Sequence, residues 1–144
     1  MAKTLPLSGD SDFRRSRLES EIHLQPGKAR GSLRIAIAYP NLYYVGMSNL
    51  GFQGVHAHFN SFDEIVCERA FLPEEEERSG RALASFETAT PLRDFDVVAF
   101  SVAFENDYLH VVRMLREAGI PLRAKDRGRR DPLILMGGSA TFLN

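Results

Sequence analysis

The side chains best able to bind a metal or attack a substrate are His23, His56, His58, His110 and Cys67. Their spacing does not gather them. His56 and His58 stand two apart in a stretch of helical periodicity, which puts them on different faces. His110 lies on another such stretch with no partner legible nearby, and His23 falls in a polar leader. Cys67 reads as a small packed side chain on a strand. One cysteine permits no internal disulfide, no structural zinc site of thiolates and no cysteine-held iron–sulfur cluster within this chain. Residues 46–51 carry the two glycines of a P-loop but no Lys-Ser/Thr after them, so there is neither a charge for a triphosphate nor a hydroxyl for magnesium. The spacings G-x-G-x-x-G and G-x-S-x-G are absent. What remains are three segments rich in Gly, Ser, Asn and aromatic residues: 40–51, 101–107 and 137–143. Small residues let a large planar ligand approach the backbone, and aromatic rings cover its faces. Within them, Glu105, Asn106 and Asp107 read either as a helix cap with its dipole complement or as ligand contacts.

The elements that must position these segments are legible from periodicity. Residues 33–39 form a short apolar run closed by Pro40-Asn41, a central strand. Residues 49–60 offer Phe52, Val55 and Phe59 as one stripe of a helix. Residues 64–72 read as a second strand, and its charges (Glu68, Arg69) argue for a sheet edge rather than burial on both faces. Residues 96–102 are apolar almost throughout, a buried third strand. Residues 106–118 place Tyr108, Val111, Val112 and Leu115 on one helical face and stop at Gly119. Residues 132–137 form a fourth strand ending in Gly137-Gly138. Between residues 73 and 94 the acidic run 74–77 opens a short helix with a solvated face. An irregular segment follows at 83–87, then a turn at 91–95. Residues 1–32 form a separate leader, flexible or strapped along the surface, with a short helix at 11–24 carrying Phe13, Leu18 and Ile22 on one side.

Apolar strands alternating with amphipathic helices give an α/β fold with an open parallel sheet and right-handed crossovers. An edge second strand fits the order 2-1-3-4 of flavodoxin-like (Rossmann-like) folds, and residues 33–144 form that domain. Such sheets usually have a fifth strand, so the chain reads as a piece of a longer protein truncated before it. In this architecture all three chemistry-bearing segments meet at the C-terminal ends of the strands, where open parallel sheets bind ligands. Lys and Arg total 18 against 19 Asp and Glu, a net charge of −1 that offers no basic excess for nucleic acid. No apolar run reaches the ~18 residues that span a bilayer, and no secretory signal opens the chain. Together with the lone cysteine, this reads as a cytoplasmic protein.

Six segments carry a resemblance. They are residues 34–41, 43–51, 67–73, 91–96, 104–109 and Gly137-Gly138. In order and spacing, from about residue 33 to 144, the chain resembles the N-terminal domain of cobalamin-binding-type radical S-adenosylmethionine proteins, nearest a subgroup called Fe–S oxidoreductases. The resemblance implies a cobalamin domain followed by a C-terminal radical S-adenosylmethionine barrel of the same polypeptide, the partner of this part. There a C-x-x-x-C-x-x-C motif holds the [4Fe–4S] cluster that cleaves S-adenosylmethionine. The piece alone would then be inactive, and the full protein an oxidoreductase or methyltransferase. Where histidine-ligating cobalamin domains read D-x-H-x-x-G, residues 41–46 have Asn41 for Asp, Tyr43 for His and the matching Gly46. A phenol with a pKa near 10 is a poor neutral donor, so no histidine lower ligand is expected, and the cobalt would be left unligated by the protein or water-bound on that side. The resemblance further implies cofactor contacts from Met47 and Ser48 on the same loop and from Phe104, Glu105 and Asn106. Ser101 falls where the family has a hydroxyl facing the buried nucleotide tail, and Gly137 and Gly138 where a side chain would block that tail.

Two expectations of different class follow. In the first, a corrin lies on the loop after the first strand with its tail between Ser101 and Gly137. In the second, the domain is degenerate, binds no cofactor and serves as a docking module. A flavin- or nucleotide-binding module ranks behind both, because the loop after the first strand lacks a hydroxyl-rich phosphate cradle.

Overall fold

The computed structural model describes residues 9–23, 27–73 and 82–143. Four strands build one sheet: β1 (Leu33–Tyr39), β2 (Ile65–Phe71), β3 (Val97–Ser101) and β4 (Leu133–Gly137). All pairs are parallel and the order is β2-β1-β3-β4. The expected topology is therefore the observed one. The crossovers hold α3 (Leu50–Asn60) between β1 and β2 and α4 (Asp107–Glu117) between β3 and β4. A five-residue helix, α2 (Tyr43–Met47), interrupts what reads in sequence as a loop, and α1 (Gly9–Ser20) precedes the sheet. A 3-10 turn at Leu92–Asp94 occupies the expected turn. The acidic run 74–77 lies outside the described residues.

Alternation sorts the core into two layers. Ala36, Ala38, Ala70, Val98 and Phe100 face one side, where Val111, Met114, Leu115 and Ala118 of α4 cover them. Ile35, Ile37, Tyr39, Cys67 and Phe71 face the other side, covered by Phe52 of α3, by Tyr43 and by Phe86, with Phe13 and Leu18 of α1 packed around them. Tyr39, Phe52, Phe71, Phe86 and Tyr43 form edge-on and stacked ring pairs with centroids 4.7–5.5 Å apart.

Several helix faces differ from their sequence reading. The inward stripe of α3 is Phe52, which is buried, with half-buried His56 and Phe59, while Val55 is exposed. On α4 Met114 is buried and Val112 is exposed. Both shifts have one cause: 100° per residue rotates a helix face away from any strict three-residue step. Ile22 lies beyond the end of α1 and is fully exposed. Gly119 stops the helix region as expected, at φ +69°.

The charged strand is the largest correction. β2 is the sheet edge, but Glu68 and Arg69 are buried. The edge is covered by side chains and loop instead of a fifth strand. Asn60 binds the Cys67 peptide from both ends, accepting its N–H at 2.9 Å and donating to its carbonyl at 3.0 Å. Glu87 accepts the Arg69 N–H at 2.7 Å, and the Phe86 N–H bonds the Arg69 carbonyl. Conversely β4, an apolar run in sequence, is the open strand: Leu133 is 60% exposed, and Leu135 and Met136 are also exposed. Among the described residues no helix packs over Leu133 and Leu135.

Candidate functional site

Parallel pairing brings the C-terminal ends of β1, β3 and β4 to one rim. The order reverses between β1 and β3, the kind of switch point at which open parallel sheets bind ligands. On the β1 side, Tyr39 and Pro40 are fully buried, and Asn41 turns on its own side chain, whose Oδ1 accepts the Leu42 N–H at 2.8 Å. The Asn41 carbonyl accepts the Leu72 N–H at 2.9 Å.

Within α2, Tyr43 and Gly46 are consumed by the fold, while Tyr44 and Val45 are exposed. Tyr43 is buried, stacked on Phe86 at 4.7 Å, and donates its hydroxyl to Glu21 Oε1 at 2.6 Å. Burial and the Glu21 carboxylate push its phenol up to about 12, so it stays a protonated donor. A Cβ on Gly46 would fall 2.5 Å from the Phe71 ring, which makes this glycine a packing residue. Met47 Sδ receives Arg69 Nη1 at 3.2 Å, and Ser48 Oγ donates to the Val45 carbonyl at 2.7 Å.

Around Arg69 the chain builds a buried ion cluster. Its Nε meets Glu87 Oε1 at 2.6 Å, and Nη1 and Nη2 meet the two oxygens of Glu21 at 3.0 and 2.8 Å. Burial alone would raise the Glu21 carboxyl, but its bonds from Arg69 and Tyr43 outweigh that and hold it below the usual range. This pins the region after α1 onto the sheet. Phe13 and Leu18 of α1 pack against the same side of the core. On the opposite face, Glu68 Oε2 accepts from the Ser85 and Thr88 hydroxyls, each at 2.6 Å, and its Oε1 from Arg34 at 3.2 Å. Sequence reading missed both clusters, because the partners come from segments 17 to 48 residues away with no periodicity to betray them.

The β3–β4 side of the rim is different. The Ser101 side chain is half-buried and has no hydrogen-bond partner among the described residues. A Cβ added to Gly137 would meet nothing within 4 Å. Gly138 has φ +116°, and a Cβ there would lie 2.3 Å from the Val102 carbonyl oxygen. The two glycines therefore have different causes, open space for the first and backbone geometry for the second. Phe104, Glu105 and Asn106 are exposed. Asp107, by contrast, is buried and accepts the Phe104 N–H at 3.3 Å through Oδ2, a bond that fixes the loop before α4, while the N-cap residue Asn106 makes no side-chain cap bond.

His110 joins this rim, which the sequence did not reveal. Its Nδ1 lies 2.8 Å from the Pro40 carbonyl oxygen and 3.6 Å from Asp107 Oδ1, so it links α4 to the segment after β1. The other histidines stay apart. His56 Nε2 sits 3.1 Å from the Cys67 carbonyl against the edge, and burial lowers its pKa to about 4. Burial pushes the Cys67 thiol up to about 12, which removes it as a nucleophile. Among the described residues no group of three or more His, Cys, Asp or Glu could hold a metal ion. A cavity of about 350 Å³ lies elsewhere, between α1 and Glu87, lined by Arg14, Arg15 and Leu18. Among the described residues, no helix is long and apolar enough to cross a membrane.

A family model described as "Radical SAM proteins, N-terminal" matches residues 51–144. No curated protein and no solved structure matches the chain.

Proposed function

The chain belongs to the family of N-terminal domains of radical S-adenosylmethionine (SAM) proteins, and from that premise we propose that it seats a cobalamin for an enzyme whose radical chemistry runs in a C-terminal barrel. The observation that carries this reading is the unfilled half of the rim. Ser101 keeps a hydroxyl without a protein partner among the described residues, beside a Gly137 position with open space.

The donor set fits a cofactor gripped by its periphery and tail, with no bond to its metal from the loop after β1. Tyr43, standing where a histidine would ligate, is turned into the core and committed to Glu21. Ser101 would bond the nucleotide tail, and Gly137 would leave it room. Phe104 would cover an apolar face of the ring, while Glu105 and Asn106 would meet its peripheral amides. When bound, a cobalamin supplies transfer of a one-carbon group. The chain contributes no ligand to an iron–sulfur cluster, because its single thiol is buried and protonated. That cluster and SAM belong to the barrel, the partner in the same polypeptide, and the whole protein is an iron–sulfur methyltransferase or oxidoreductase working in the cytoplasm.

The test is to mix the purified protein with hydroxocobalamin, desalt it and record the visible spectrum. Retained corrin absorbance at one equivalent is expected; its absence sinks the reading. The second reading, a docking module without cofactor, is favoured by the internal use of Tyr43, Gly46, Met47 and Ser48 and by the bare apolar face of β4. It predicts no retained corrin and protection of Leu133–Gly137 from hydrogen exchange when the barrel is added.

A further inference from the structure

At the rim, beside the end of β1, stands an imidazole whose orientation is already set. His110 sits in the first turn of α4, and its Nδ1 contacts the Pro40 carbonyl oxygen at 2.8 Å. A carbonyl oxygen only accepts, so the proton of this contact resides on Nδ1. Asp107 Oδ1, 3.6 Å from the same nitrogen, favours that tautomer. In the neutral ring the lone pair is left on Nε2, which has no hydrogen-bond partner among the described residues, and the side chain is 39% exposed. Metal-binding imidazoles are held in this way, the ring N–H donated to a backbone carbonyl or carboxylate and the other nitrogen free.

We propose that His110 Nε2 is the protein's axial ligand to the cobalt of the corrin, supplied from α4 in place of the loop position that Tyr43 occupies. The proposal rests on the cobalamin reading above. The choice of metal follows from donor number. A free cation needs three or more protein donors, and the described residues gather no such group. A corrin brings four nitrogens of its own, so one imidazole completes its coordination. The Pro40 carbonyl and Asp107 act as positioning groups that hold the ring.

The test uses cob(II)alamin bound to the purified protein and read by electron paramagnetic resonance. With protein labelled with 15N only in its histidines, a twofold superhyperfine splitting is expected on the cobalt signal. The His110→Gln variant, whose amide can still donate to the Pro40 carbonyl, is expected to keep its far-UV circular dichroism and lose that splitting. A threefold splitting in the labelled protein means that the cofactor's own base is the ligand and overturns the proposal. So does an unsplit signal, or a twofold splitting that survives in His110→Gln. In each of these cases the bound corrin leaves the cobalamin reading standing. Failure to retain any corrin overturns both.

Discussion

Gly137 and Gly138 look interchangeable in sequence, and a double glycine after a strand reads as one turn. Their neighbours separate them. Gly138→Ala forces a Cβ into the Val102 carbonyl at a positive φ, so it is expected to cost about 2 kcal/mol or more. Gly137→Ala meets open space and is expected to change stability by under about 0.5 kcal/mol, while lowering corrin retention at least several-fold. Urea unfolding of both variants, with the visible spectrum after desalting, checks the pair. Equal destabilisation would contradict the assignment of open space to Gly137. His110 and Tyr43 carry the same lesson in opposite directions. A histidine without a legible partner proves to tie helix α4 to the segment after β1, and a tyrosine aligned with a ligand position proves to be core. Side-chain direction after a strand end depends on helix α2 and on where Glu21 arrives, and neither has a local signal.

The edge strand β2 shows how a charged segment becomes interior. Arg69 is compensated by Glu21 and Glu87, so removing it alone strands two carboxylates. Arg69→Met is expected to cost about 3–5 kcal/mol, and adding Glu21→Gln with Glu87→Gln is expected to recover part of the loss in urea midpoint. His56, packed between α3 and β2, supplies an acid-sensitive component. Arg69, Glu21 and His23 act on its charge, and the Cys67 carbonyl contacts its ring. Its pKa is about 4 folded against 6.5 unfolded, so the unfolded chain binds the extra proton between those values. Stability therefore falls as pH drops from 6.5 toward 4, by up to about 3 kcal/mol. In His56→Gln the slope between pH 6.5 and 5 is expected to flatten. An unchanged slope in chemical denaturation at several pH values would refute the buried neutral imidazole.

Across the molecule, the two edges of the sheet are treated oppositely. The β2 edge is sealed by Asn60, Glu87 and Phe86, whereas β4 shows Leu133, Leu135 and Met136 to solvent. Leu135→Lys is accordingly expected to change the unfolding free energy by less than about 0.5 kcal/mol, a small effect that a buried strand would not permit. Strand positions, the crossover helices α3 and α4, the parallel order β2-β1-β3-β4 and the meeting of the Gly-, Ser- and Asn-rich segments at one rim followed from periodicity and the rules of parallel connection, whereas α2 did not. Those are properties of consecutive residues, which is why the linear chain carries them. Which charges lie inside, which strand stays bare, and which half of the rim remains open depended on contacts between residues tens of positions apart. Arg69 meeting Glu21, Tyr43 meeting Phe86 and His110 meeting Pro40 exist only once the layers are stacked, because burial belongs to the assembled packing and to no single segment.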